Sequence, residues 1–185
     1  MSGVDGYYPS PRDSFSIRIG TSKLIVVFLI VILFLYLFYT YPQRCVVRME
    51  GIGFRSGDVS FEEKVSVKID GWYSKKLRGN EFEGSMFIND NELHEVNFKF
   101  DKYGNSSIFS YREDKGEYDF FGELFVDGRF EKLAICVFEK DIKNPGASHW
   151  SSKDGFVIAA PAASRDEALK IATELIGKKL KINLK

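Results

Sequence analysis

Two histidines, His94 and His149, and two cysteines, Cys45 and Cys136, are the only imidazoles and thiols in the 185 residues. A transition-metal site needs three or four ligands, often in local pairs such as H-x-x-x-H or C-x-x-C. No such spacing occurs, so neither a metal nor another cofactor is expected. Two cysteines also cannot build a disulfide-dense scaffold. The sequence holds no G-x-S-x-G elbow, no G-x-x-x-x-G-K phosphate loop and no G-x-G-x-x-G. Gly51-Ile52-Gly53 is only a fragment of the last.

The most reactive-looking stretch is Ser148-His149-Trp150, after Asn144-Pro145-Gly146. A nucleophile and its base must face each other through the fold, and sequence neighbours do not. The expectation is a polar loop whose tryptophan folds back on the sheet. Asn89-Asp90-Asn91-Glu92 offers oxygens to calcium but lacks the D-x-D-x-D-G pattern, and reads as a solvated hairpin turn. Lys75-Lys76-Leu77-Arg78 is a small basic turn that reads as a solvated loop, with contact to acidic lipid or wall polymer as the alternative. Cys136 falls in an apolar run and reads as a small buried hydrophobe. Cys45 lies where S-acylation occurs in eukaryotes. Asn105-Ser106-Ser107 is a glycosylation sequon only in a luminal eukaryotic domain. Glu83, Asp119 and Glu123 are the carboxylates an acid/base enzyme would have to gather from separate strands. No catalytic constellation is written locally.

The elements around these residues divide sharply by composition. Leu24 to Tyr41 runs eighteen residues without a charge. As a helix rising about 1.5 Å per residue it is roughly 27 Å long, near the hydrocarbon thickness of a bilayer. Lys23 precedes it, Arg44 follows it, and Tyr36, Tyr39 and Tyr41 gather at one end, where aromatic rings prefer the lipid–water boundary. A secretory signal has a shorter apolar region and a small-x-small cleavage site. Here Thr40-Tyr41-Pro42-Gln43-Arg44 follows instead, and Cys45 lacks a lipoprotein context. The expectation is an uncleaved single-span anchor over 23–41. Arg12, Arg18 and Lys23 on one side balance Arg44, Arg48 and Arg55 on the other, so the positive-inside count is a tie. The short tail and long following body favour a cytoplasmic N-terminus and a domain outside. Residues 1–22 hold Gly3, Gly6, Pro9 and Pro11 and no apolar period, and read as a disordered tail.

Residues 42–185 hold 23 bases and 24 acids, which gives no clustered positive surplus for nucleic acid. Apolar residues there alternate with period two, the pattern of half-buried strands. Val65, Val67 and Ile69 share one face. Phe82, Met86 and Ile88 share another such face, as do Val96, Phe98 and Phe100. Ser107 to Tyr111 is a shorter candidate. Tyr118, Phe120, Leu124 and Val126 form a face across Gly122. Leu133, Ile135 and Val137 follow, then Phe156, Ile158 and Ala160. Asp70-Gly71, Arg78-Gly79-Asn80, 102–105, Asp127-Gly128 and Asn144-Pro145-Gly146 supply turn residues. About seven strands with short connections predict an antiparallel meander over 63–160. Residues 42–62 are either a juxtamembrane linker or a first strand.

Ser164-Arg165-Asp166-Glu167 fits the S-x-x-E capping box. Ala168, Leu169, Ile171, Ala172, Leu175 and Ile176 then recur at helical spacing, so 161–185 is read as an amphipathic helix and a basic tail. The helix needs an apolar partner. Phe87, Phe121, Phe125, Cys136 and Phe138 lie opposite the first apolar set, so one sheet face is assigned to a second layer and the other to the helix. Residues 65–70 and 81–89 resemble 96–101 and 119–127, which suggests a repeated strand–turn–strand unit. The fold expected is α+β: a single transmembrane helix, then an antiparallel β domain with a C-terminal helix on its sheet. The function expected is a membrane-anchored, non-catalytic binding or interaction domain. Its partners are the lipid bilayer and a protein or envelope polymer, not nucleic acid. The alternatives are a cell-envelope hydrolase with dispersed carboxylates and a regulatory subunit that pairs through its span.

Overall fold

The structure is a computed structural model. It describes residues 20–77, 79–100, 106–112, 116–127, 130–141, 144 and 147–180, with only the backbone of Lys178. The tail through Ile19, Arg78 of the basic turn, the 101–105 turn with Asn105 of the sequon, Gly128, Pro145-Gly146 and the basic residues after Leu180 lie outside the described residues. The chain divides into two compact units, and the second is Thr40–Lys185.

Helix α1 spans Thr21–Thr40, is apolar on every side and has a mean hydropathy of 2.6 over its best window. It begins two residues before the expected anchor. Among the described residues it is the one helix long and apolar enough to cross a membrane.

Eight strands of the second unit close into an antiparallel barrel. In chain order they are β1 (Gln43–Arg55), β2 (Glu62–Ser74), β3 (Glu81–Ile88), β4 (Asn91–Lys99), β5 (Ser106–Arg112), β6 (Tyr118–Val126), β7 (Leu133–Val137) and β10 (Phe156–Ala160). Each pairs with the next along the chain, and β10 returns between β7 and β1 to complete the ring. Two short strands, β8 (Glu139–Lys140) and β9 (Ser148–His149), form a separate ribbon before β10. Closure removes the unpaired edges that an open meander of this length would carry. The second layer expected over the first apolar face is therefore the sheet itself. Val65, Val67, Ile69, Met86, Leu124 and Ile135 point inward and are fully buried.

Residues 42–62 resolve as a strand. β1 pairs with β2 from Gln43↔Tyr73 to Phe54↔Glu62. Its outward residues Ile52 and Phe54 lie beneath the C-terminal helix, while Gly51 and Gly53 take the inward positions. Gly71 of β2 and Gly84 of β3 are register partners, and a Cβ on either would meet the other's backbone. Glycine here lets the two strands approach and coil, the curvature that closure requires.

Two β-bulges break the expected faces. On β4 the register passes from Val96 to Leu93 while β3 moves only from Gly84 to Met86, and Glu95 takes a left-handed φ of 51°. On β6 the register jumps from Gly122 to Phe120 against Phe109 and Ser110 of β5, so Phe121 is the extra residue. A bulge turns the side chains beyond it to the other face. Leu124 and Val126 face inward as expected, but Tyr118 and Phe120 are 61% and 58% exposed. Phe121, expected on the helix side, packs on the interior cluster instead. The two resembling segments also differ in place: β2 and β3 are neighbours, whereas β5 separates β4 from β6.

Helix α2 spans Arg165–Leu180. The capping box forms with Ser164 Oγ accepting from the Glu167 amide (3.4 Å), while Glu167 reaches back to the Ala163 amide (2.8 Å). Ala168, Ala172 and Ile176 are fully buried against Ile52, Phe54, Phe125, Cys136 and Val157 on the barrel's outside. The two alanines allow close approach of helix to sheet, and each large apolar group buried there adds about 1.5–3 kcal/mol.

Candidate functional site at the barrel mouth

The two barrel ends differ. At the end where β1 starts, Tyr73, Phe82, Phe98, Phe100 and Phe130 form a cluster of rings with centroids 5.2–6.4 Å apart. Phe130 reaches it from a left-handed backbone, φ 58°. Edge-to-face and tilted contacts at these spacings are favourable, and they plug that end.

The opposite end is open. A cavity of about 610 Å³ lies between the β1–β2, β3–β4 and β5–β6 ends. That volume is within the usual range for small-molecule sites, which are common in β-barrel mouths. Val65, Ile88, Leu93 and Ile158 make a buried apolar floor. Half-buried Tyr111, Phe121 and Phe156 supply aromatic walls. Phe121 stacks on Phe109 at 5.4 Å and meets Tyr111 edge-on at 6.2 Å. The β6 bulge is what turns Phe121 inward to make this wall.

Glu63 also lines the cavity. It precedes Val65 by two residues, so it sits on the inward phase of β2. Its register partner is Gly53. A Cβ at Gly53 would fall 2.6 Å from the Phe156 ring and 2.9 Å from Glu63 Cγ. The bare glycine leaves the space that both side chains occupy.

The rim charges near β4 and β5 are paired. Arg112 donates to Glu95 (2.7 Å), which also accepts from the Tyr118 hydroxyl (3.0 Å). Arg112 first, and then Tyr118, holds the Glu95 carboxyl below its usual value, and the same carboxylate raises the Tyr118 hydroxyl. Glu92 lies 3.3 Å from His94. Among the described residues His94 and Arg112 are the one paired position between β4 and β5, so the described ladder at this seam is short.

A shallower groove of about 550 Å³ crosses the same seam outside, lined by Glu83, Ser85, Glu95, Asn97, Ser110 and Tyr118. Of the three carboxylates singled out for acid/base work, only Glu83 is in it, accepting from Asn97 at 3.4 Å. Glu123 is tied to Lys179 at 2.8 Å, and Asp119 lies 3.9 Å from Lys140. The fold does not bring the three together. Among the described residues no group of three or more His, Cys, Asp or Glu is placed to hold a metal ion.

Ser148 and His149 form β9 against β8, and Trp150 folds back onto the cluster under α2, as expected. Asn89 makes the tight β3–β4 turn with φ 54°, its side chain accepting from the Ser66 amide at 2.9 Å. Lys76 of the basic turn pairs with Glu81. Cys136 is buried, and burial pushes its thiol up to about 12, with Glu123 adding to the shift. Reading motifs alone overlooks the mouth residues Glu63, Tyr111, Phe121 and Phe156. One signal for them is present in the sequence: Glu63 is an acid on the apolar phase of β2.

No family model, curated protein or solved structure matched this chain.

Proposed function

We propose that this chain is a membrane-anchored, non-catalytic binding domain whose ligand enters the open barrel mouth. The observation that carries the reading is the asymmetry of the barrel interior. One end is plugged by five rings, and the other keeps a cavity of about 610 Å³ with an apolar floor and a polar rim. A cavity of this size in a barrel mouth suits a small-molecule site. The anchor is α1, whose twenty residues and lack of charge suit a single span. The tail lies in the cytoplasm and the barrel outside the membrane. The chain enters the barrel at its plugged end, since β1 starts at Gln43.

The test is methyl NMR of the full chain in micelles, titrated with phenylbutanol, a neutral water-soluble probe. Shifts should concentrate on Ile88, Leu93 and Ile158. Leu93→Trp fills the floor and should abolish them. Asn91→Trp changes an exposed rim residue, leaves the core intact and should weaken them. Shifts spread evenly over the protein, or unchanged in both variants, would overturn the proposal.

A further inference from the structure

We infer that the mouth selects a compact organic ammonium ion, with its cationic head at Glu63 and its apolar body against the aromatic walls. The inference rests on the mouth being a ligand site, and adds the charge and class of the ligand.

Three observations support it. First, Glu63 carries a carboxylate on the inward phase of β2, directly above Val65. The same phase deeper in the barrel is wholly apolar, so this exposed carboxylate marks the rim of the cavity. Second, among the described residues the guanidinium groups near the mouth are already engaged. Arg112 is held by Glu95, His94 sits beside Glu92, and Arg55 donates to Glu139 (3.2 Å) and to the Asp154 carbonyl (3.0 Å). Among the described residues no ion pair engages Glu63. An anionic ligand would have to break one of these pairs, whereas a cation meets an available carboxylate.

Third, the cavity that Glu63 lines has rings in its walls. Phe156 lies beside Glu63 over Gly53, and Tyr111 and Phe121 complete the wall. Ring faces attract ammonium groups and also bury the hydrocarbon attached to them. Carboxylate, aromatic wall and aliphatic floor thus follow one another from rim to interior. A long acyl chain does not fit, because Val67, Met86, Phe109 and Leu124 fill the barrel below the floor.

The test uses three probes with one carbon skeleton, phenylbutylammonium, phenylbutanol and phenylbutyrate, on the full chain in micelles, read by the same methyl groups. Phenylbutylammonium should bind about tenfold or more tightly than phenylbutanol, and phenylbutyrate weakest, as a charge-assisted contact implies. Glu63→Gln keeps shape and should remove the advantage of phenylbutylammonium over phenylbutanol. Glu63 is exposed, so this variant should fold, and an unchanged thermal midpoint verifies that. If phenylbutanol binds the mouth and the ammonium ion gains nothing, or Glu63→Gln leaves its advantage intact, the charge assignment is overturned while the binding reading stands. If no probe perturbs Ile88, Leu93 or Ile158, both fall together.

Discussion

Glu95 sits at a left-handed φ on a bulge, and its carboxylate joins Arg112 and Tyr118 where β4 and β5 share one paired position among the described residues. Its folded pKa is depressed from 4.5, so its contribution to stability is present in full above that value. The contribution is lost as pH falls through the depressed folded value. Glu95→Gln should therefore lower the thermal midpoint at neutral pH, and the gap should close in acid. A gap that persists in acid would show that the seam does not depend on this charge. The thiols give a second expectation. Cys136 is buried and raised to about 12, and Cys45 is raised by partial burial and then by Asp70. At about pH 8 a free thiol is substantially reactive, yet native Cys136 should resist alkylation until the protein unfolds. Cys45 should react slowly. Rapid native labelling of Cys136 would contradict its place under α2.

At the scale of elements, alternation made β2, β3, β7 and β10 legible, because in each one phase is apolar and faces the barrel interior. β1 was not legible. Its first half alternates normally, with Cys45, Val47 and Met49 on the interior cluster, but beyond it the outward phase holds Ile52 and Phe54 under α2 and the inward phase holds Gly51 and Gly53, so the contrast inverts. The bulges at Glu95 and Phe121 were equally hidden, since a single extra residue turns a face without changing composition. Phe121 could be placed on the mouth wall only from the register. Helix α2 was readable from its cap and spacing, and its packing can be tested. Ile176→Ala should cost about 2–5 kcal/mol in chemical denaturation. Ala172→Leu should cost about 1–3 kcal/mol by forcing the helix off Phe54 and Phe125. If both variants matched wild type, the helix would not be docked as described.

At the scale of the whole molecule, the apolar helix and the β domain were separable from composition alone, whereas barrel closure was not. The β1–β10 ladder joins Ile52 to Ala159 across more than half the domain, and nothing local announces it. The mouth exists only because of that closure, so neither Glu63 nor the cavity it lines was picked out from the sequence. Membrane attachment yields its own expectation: the chain should stay in the membrane fraction after a carbonate wash and be released by detergent. Tethered display is tested most directly by protease treatment of intact cells carrying one epitope before Met1 and another after Lys185. The expected result is loss of the C-terminal epitope with the N-terminal one protected. Protection of the C-terminal epitope with loss of the N-terminal one would place the barrel inside the cell and contradict the proposed topology.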